Sequence, residues 1–317
     1  MIWLVGNKGM LGSEVSLALQ ALGVEFIGTD REVDITDAAS IRAFADETAR
    51  ASSGTIDWVI NCAAYTAVDK AEDDRDACRL INVDGPENLA ALAQRMGAGF
   101  LHVSTDYVFD GYGTRPYRED DPTNPTGYYG LTKRDGEMAV LAAHPDAYIL
   151  RTAWLYGKNG NNFVRTMIRL MNERDLVRVV DDQRGYPTWA RDLARAIADF
   201  VRLAREDRPA SRGRSVPAGR SVPAGRPPAG VYHFAGAGET TWFGFAREIY
   251  RLARARGLVS TDCDVQPCTS AEYPSKVRRP PYSVLDKSKI TQALGRPVPE
   301  WRESLEGYLD EMRNDAT

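Results

Sequence analysis

Five apolar residues, Met1-Ile2-Trp3-Leu4-Val5, run directly into Gly6-Asn7-Lys8-Gly9-Met10-Leu11-Gly12. A short apolar run without alternation is the pattern of a parallel strand covered on both faces. Leu11, Val15, Leu19 and Leu22 then recur at helical spacing, so the glycine-rich stretch is the turn between a first strand and a first helix. Glycines there allow a tight turn and close backbone approach, and the helix start presents free N–H groups to a phosphate. The spacing is Gly-x-x-Gly-x-x-Gly, not the commoner Gly-x-Gly-x-x-Gly. A glycine-rich turn without a ligand would have the same composition, but its place between strand and helix favours a dinucleotide pyrophosphate.

The rest of the first half repeats the alternation. Val24 to Asp30 reads as the second strand, with Asp30 where an acidic side chain meets ribose hydroxyls and Arg31 placed to receive a 2′-phosphate instead. NADH and NADPH both remain open on these two residues. Asp34-Ile35-Thr36-Asp37 is expected to cap the next helix and flank the adenine. Asp57 to Ala64 is a third buried strand ending in small residues, and Tyr65 to Glu72 follows at its carboxyl end, where ligands bind in such sheets. A helix through Leu89 and Leu92 leads to a strand at Phe100, and Ala147 to Gly157 reads as one further strand. The predicted fold is α/β: a Rossmann-like doubly wound parallel sheet with a smaller C-terminal α/β substrate domain. Residues 1–157 are expected to form the dinucleotide-binding part, with core elements continuing to about 240, and 158–317 mainly the substrate part.

Chemistry-bearing residues cluster between Phe100 and Glu137. The strand Phe100-Leu101-His102-Val103 ends in Ser104-Thr105-Asp106, and Tyr129-Gly130-Leu131-Thr132-Lys133 opens a helix. Positions i and i+4 share a helix face, so Tyr129 and Lys133 can point into one cleft. There the cation would lower the phenol toward working pH and suit Tyr129 to proton transfer at a carbonyl oxygen. Thr105 could hold that oxygen by a hydrogen bond. Spacing alone describes an exposed Lys and a half-buried Tyr equally well.

A net charge of −4 gives no electrostatic case for nucleic-acid binding. Four cysteines at irregular spacing and three histidines argue against a zinc site and for reduced thiols, so a cytoplasmic protein is expected. No apolar run approaches a membrane span. In the second half, the helix starting near Phe163, a strand at Val177 to Val180, a substrate-facing loop at Asp182 to Thr188, a helix from Trp189 to Leu203 that Thr188 could instead simply cap, a helix from Trp242 and a closing helix from Trp301 are expected. Gly-Arg-Ser-Val-Pro-Ala occurs at 213–218 and again at 219–224, within a low-complexity insert at 207–229 expected to be a flexible surface loop.

Together these residues resemble the nucleotide-sugar branch of the extended short-chain dehydrogenase/reductases, and within it the dTDP-4-dehydrorhamnose reductases. The likeness rests on Gly6-x-x-Gly9-x-x-Gly12, Asn61 to Glu72, Ser104 to Gly111, Tyr129 to Lys133, Asp182 to Thr188, and Arg278 to Asp286. It covers nearly the whole chain except the insert. The resemblance implies Thr105, Tyr129 and Lys133 as catalytic residues and NADPH, or NADH, as cofactor. Cofactor contacts are implied at Gly6, Gly9, Met10, Leu11, Gly12, Asp30, Arg31, Asp34, Ile35, Ala63, Ala64, Tyr65, Thr66, Val103, Tyr129 and Lys133. Substrate contacts, to a dTDP-sugar, are implied at Thr66, Val68, Asp69, Thr105, Asp106, Tyr107, Trp154, Gln183 and Arg279. Some relatives form homodimers around magnesium; no signature here places such a site, and no metal ligand is assigned. The related 4,6-dehydratases carry Glu where this chain has Tyr107, which points to reduction of a C4 ketone. The alternatives are a reductase or epimerase of another dTDP-4-keto-6-deoxy sugar, or a non-catalytic subunit like the β subunit of methionine adenosyltransferase.

Overall fold

The structure is a computed structural model that describes residues 1–51, 54–206, 226–273 and 275–315. The hexapeptide repeats at 213–224, expected to be a flexible loop, lie outside the described residues.

Six parallel strands make the central sheet: β1 (Ile2–Val5), β2 (Phe26–Thr29), β3 (Trp58–Asn61), β4 (Gly99–Thr105), β5 (Tyr148–Thr152) and β10 (Gly230–His233), in the order β10-β5-β4-β3-β1-β2. Their side chains alternate between two cores. Ile2, Leu4, Trp58, Ile60, Leu101 and Leu150 face one, while Trp3, Val5, Val59, Phe100 and Ile149 face the other. β1 and β3 therefore read as nearly unbroken apolar runs, because neither face meets water, whereas the edge strand β2 is only half-buried.

The first core is closed by α1 (Met10–Ala21) and α7 (Ala190–Glu206), the second by α2 (Ala38–Ala51), α4 (Gly85–Arg95) and α5 (Tyr128–Ala143). Between β3 and α4 run a single 3₁₀ turn, a short helix α3 (Arg75–Arg79) and a π-helical turn over Leu80–Asp84. Asp37 Oδ1 caps α2 by accepting from Ala39 N at 2.8 Å.

Two expectations need correction. The strand expected over 147–157 is two, β5 and the short β6 (Leu155–Tyr156), because Trp154 between them adopts φ 46°. A left-handed conformation at a bulky residue interrupts a strand. Thr188 does not cap α7. It lies in β9 (Thr188–Trp189), and its buried Oγ1 has no hydrogen-bond partner among the described residues. Beyond residue 157, α7 packs on α1 and β10 adds the sheet's edge strand next to β5.

The remaining elements form a third core. Here α6 (Phe163–Glu173), β7 (Leu176–Val180), α8 (Trp242–Ala255), β12 (Asp264–Cys268) and α10 (Trp301–Asp315) pack together, β7 and β12 pairing in parallel. Short ribbons join β6 to β9, and β8 (Arg184–Gly185) to β11 (Thr240–Thr241); α9 (Ser288–Leu294) lies against α7 and β10.

Candidate active site

All six strands point their carboxyl ends the same way, and the glycine loop crosses that edge after β1. Gly6 has φ 77°, and a Cβ there would stand 2.8 Å from Ala63 N. A Cβ on Gly12 would stand 2.0 Å from the Gly6 carbonyl oxygen. The loop is thus folded tightly onto itself and onto the residues after β3, and only glycine permits it. Gly9 is the N-cap of α1 without a side-chain cap, and the first intrahelical bond runs from Ser13 N to Gly9 O at 3.0 Å. The amides of Met10, Leu11 and Gly12 are left as the unpaired first-turn donors of the helix. Leu11 itself is buried in the first core, so its contribution is its backbone, while the Met10 side chain lies against Gly157. This cradle fits a dinucleotide pyrophosphate.

At the end of β2, Asp30 N donates to Glu32 Oε1 at 3.0 Å, Lys8 Nζ pairs with Glu32 Oε2 at 3.1 Å, and Arg31 is exposed. Asp34 is exposed and accepts from Thr36, whereas Ile35 is buried against Gly85. Ile35 therefore belongs to the core layer, where two-sided burial holds its side chain. Ala63 and Ala64 continue from β3, with Ala63 N donating to Asn61 Oδ1 at 2.9 Å.

The chemistry lies one strand over. Thr105, the last residue of β4, accepts from Tyr107 N at 3.3 Å and donates to Asp106 Oδ1 at 3.0 Å. Tyr129, in the first turn of α5, is 8% exposed and meets Tyr107 edge-on at a ring separation of 5.5 Å. Tyr65, Val68, Ala71, Cys78 and Tyr128 complete a small apolar cluster around it. A Cβ on Gly130 would stand 2.2 Å from the Tyr107 carbonyl oxygen, so glycine lets α5 close onto the turn after β4.

The lowered phenol expected from Lys133 is not what the structure has. Burial raises the Tyr129 phenol above its ordinary value, a hydrogen bond from Thr105 offsets part of that, and Asp106, Tyr107 and Cys78 add to the rise. Lys133 is neither exposed nor turned to the phenol. It is 1% exposed, and its Nζ donates to the Val103 carbonyl at 2.8 Å and lies 3.1 Å from His102 Nε2. Burial pulls Lys133 down to about 8, opposed by Glu137, Cys78 and Cys62. Asp106 is pushed up to about 6 by burial, opposed first by the Thr105 hydrogen bond. The cause throughout is desolvation, which penalises whichever form is charged.

The substrate side gathers residues far apart in sequence. Arg279 Nη2 pairs with Asp69 Oδ2 at 2.5 Å, and its Nη1 donates to the Tyr107 hydroxyl at 3.2 Å. Val68, Asp69, Tyr107 and Arg279 thus sit beside Tyr129 and Thr105, and Thr66 is exposed at the same loop. Trp154 is stacked on Trp242 at 3.8 Å and packed against Gly185. Gln183 is directed elsewhere, donating from Nε2 to Ser270 Oγ at 2.9 Å. Among the described residues no group of three or more His, Cys, Asp or Glu is placed to hold a metal ion, and no helix is long and apolar enough to cross a membrane.

Two residues passed over in the sequence are tied to the site. Asn82, in the π-helical turn, accepts from Tyr65 N at 2.8 Å and donates to Thr132 Oγ1 at 3.2 Å, linking the loop after β3 to the residue before Lys133. Its signal was a polar side chain inside Leu80-Ile81-Asn82-Val83. His102 was the analogous polar interruption in Phe100-Leu101-His102-Val103.

Residues 1–314 match the family described as RmlD substrate binding domain. The chain belongs to this family. It is 44% identical over 306 residues to a dTDP-4-dehydrorhamnose reductase of Streptomyces griseus, covering 96% of this chain and 91% of the relative. Among solved structures, a dTDP-4-dehydrorhamnose reductase of Clostridium acetobutylicum is 40% identical, with a TM-score of 0.84 and coverage of 98% of this chain and 99% of that one. The Bacillus anthracis dTDP-4-dehydrorhamnose reductase, solved in complex with NADP, is 32% identical with a TM-score of 0.83 and coverage of 98% of both chains. An RmlD chain matched from end to end places the glycine cradle, β4 and the start of α5 within one family architecture.

Proposed function

We propose that this protein is a nicotinamide-dependent reductase that converts the C4 ketone of dTDP-4-dehydro-L-rhamnose to the alcohol of dTDP-L-rhamnose. The reading is supported by Thr105 at the end of β4 and Tyr129 in the first turn of α5, with Lys133 one turn further on, beside the sheet edge that also carries the Gly6–Gly12 cradle. Met10, Leu11 and Gly12 amides would hold the pyrophosphate, and the bound dihydronicotinamide supplies the hydride.

The chain's own residues do the rest. Tyr129, kept protonated by its burial, gives its proton to the C4 oxygen. Thr105 orients that oxygen, and Lys133, after a shift in its hydrogen bonding, meets the nicotinamide ribose and supports the phenolate formed. Arg279, beside Asp69 and Tyr107, offers a guanidinium to the substrate diphosphate. Tyr107 in place of a titrating carboxylate leaves no acid/base partner of the dehydratase kind at that position. Exposed Arg31 and the nearby Lys8 support NADPH over NADH as the working cofactor.

The test follows nicotinamide absorbance with dTDP-4-dehydro-L-rhamnose generated in place. Oxidation of NADPH with dTDP-L-rhamnose as product is expected, with NADH slower. Oxidation only with another 4-keto sugar would move the substrate, and none with any would remove the reductase reading.

A further inference from the structure

Lys133 shares its burial with a chain of hydrogen bonds whose direction can be read. Ala63 N–H can only donate, and it donates to Asn61 Oδ1 at 2.9 Å. That fixes the Asn61 amide, so the group 3.1 Å from His102 Nδ1 is the Asn61 NH₂. An NH₂ is a donor only, and His102 Nδ1 must accept. The imidazole is held neutral, because burial keeps it well below the usual histidine range. A neutral imidazole with an accepting Nδ1 carries its one proton on Nε2, and Nε2 stands 3.1 Å from Lys133 Nζ. An ammonium has no lone pair to receive that proton. Only the neutral amine satisfies every contact, accepting from Nε2–H while donating to the Val103 carbonyl.

We propose that His102 is a positioning residue for Lys133: locked by Asn61 as the Nε2–H tautomer, it donates to the Lys133 amine and favours its neutral form before the nicotinamide cofactor binds. This rests on the reductase reading only for the identity of the cofactor. The same geometry ties Lys133 to the cradle. Protonating Lys133 forces His102 to the Nδ1–H tautomer, which breaks the Asn61 contact at the strand end that carries Ala63, the residue packed against Gly6. The other titratable groups facing Lys133 are Glu137 on its own helix, Cys62 after β3 and Cys78 on α3. All three favour the ammonium, against the burial that disfavours it. His102 therefore acts with burial and against the local charges.

The decisive measurement is the nitrogen NMR spectrum of isotope-labelled histidine in the protein without added cofactor. Only three histidines, His102, His144 and His233, contribute, and His102→Asn, or removal of the other two, assigns the signals. An Nε2–H tautomer at His102 is expected at pH above the Lys133 value of about 8, and Asn61→Asp should invert it to Nδ1–H by placing an acceptor at Nδ1. An Nδ1–H tautomer or an imidazolium in the unaltered protein at such a pH would overturn the proposal. In the His102→Phe variant the kinetic titration belonging to Lys133 should move upward by about one pH unit, the scale of one lost hydrogen bond. A limb that stays put or moves down would also overturn it. No substrate enters the NMR measurement, so failure of the reductase reading would appear separately, as absence of turnover at every pH.

Discussion

Asp106 and Tyr129 show what burial does to acids at the carboxyl end of a parallel sheet. Both are raised mainly by loss of water, so both hold their protons more tightly in the folded chain than outside it. For Asp106 the value is about 6 against 3.8 for the free group. Its contribution to stability is complete below 3.8 and is lost as pH rises through about 6. Asp106→Asn keeps the shape without the charge and is expected to melt at a higher temperature than the unaltered protein above that range. The gain is at most roughly 3 kcal/mol and disappears in acid. Thermal melts at acid and at neutral pH check this, and a difference that does not depend on pH would contradict it. Tyr129→Phe removes only a hydroxyl from the small apolar cluster. Turnover should fall by about 10²–10⁴-fold, the usual contribution of a general acid, with dinucleotide affinity nearly unchanged. Stopped-flow reduction and fluorescence titration of cofactor separate the two effects.

At the scale of elements, the glycine loop and its helix act as one piece. A methyl group on Gly12 would meet the Gly6 carbonyl oxygen at 2.0 Å, and backbone on both sides leaves little room to yield. Gly12→Ala is expected to cost about 1–3 kcal/mol of stability and to lower dinucleotide affinity at least tenfold. Calorimetry and a binding titration measure these, and a variant that binds normally would remove the loop from the cofactor site. This element was legible because its signal is local: an apolar strand, glycines at fixed spacing, then helical periodicity. The central strands were legible for the same reason, since two-sided burial leaves a nearly unbroken apolar run. What was not legible depends on neighbours distant in sequence. Trp154 breaks its strand where Trp242 stacks on it, and nothing in Ala153-Trp154-Leu155 announces that partner. The direction in which Lys133 points follows from the carbonyl of Val103 and the ring of His102, on a strand about thirty residues away. Spacing placed Tyr129 and Lys133 on one helix face but could not say that the strand would take the lysine.

For the whole molecule, the proposed substrate mouth is a seam between distant parts of the chain. Asp69 and Arg279 are 210 residues apart and meet at 2.5 Å. The pair is partly exposed, at 47% and 24%, so its worth to stability is below about 1 kcal/mol. Its value lies in positioning. Arg279→Ala is expected to raise KM for the nucleotide sugar roughly tenfold, the scale of one charge-assisted contact, while melting within a few degrees of the unaltered protein. Steady-state kinetics beside a melt distinguish this from general destabilisation. A quieter consequence follows from the way the described chain approaches segment 207–225. On one side Arg205 pairs with Asp57, just before β3, and on the other Arg226 bonds the Tyr148 hydroxyl at the start of β5. Both anchors lie at the amino edge of the sheet, whereas Thr105 and the glycine cradle lie at its opposite edge. The two flanks of the segment are therefore anchored at one pole of the sheet, and the candidate site lies at the other.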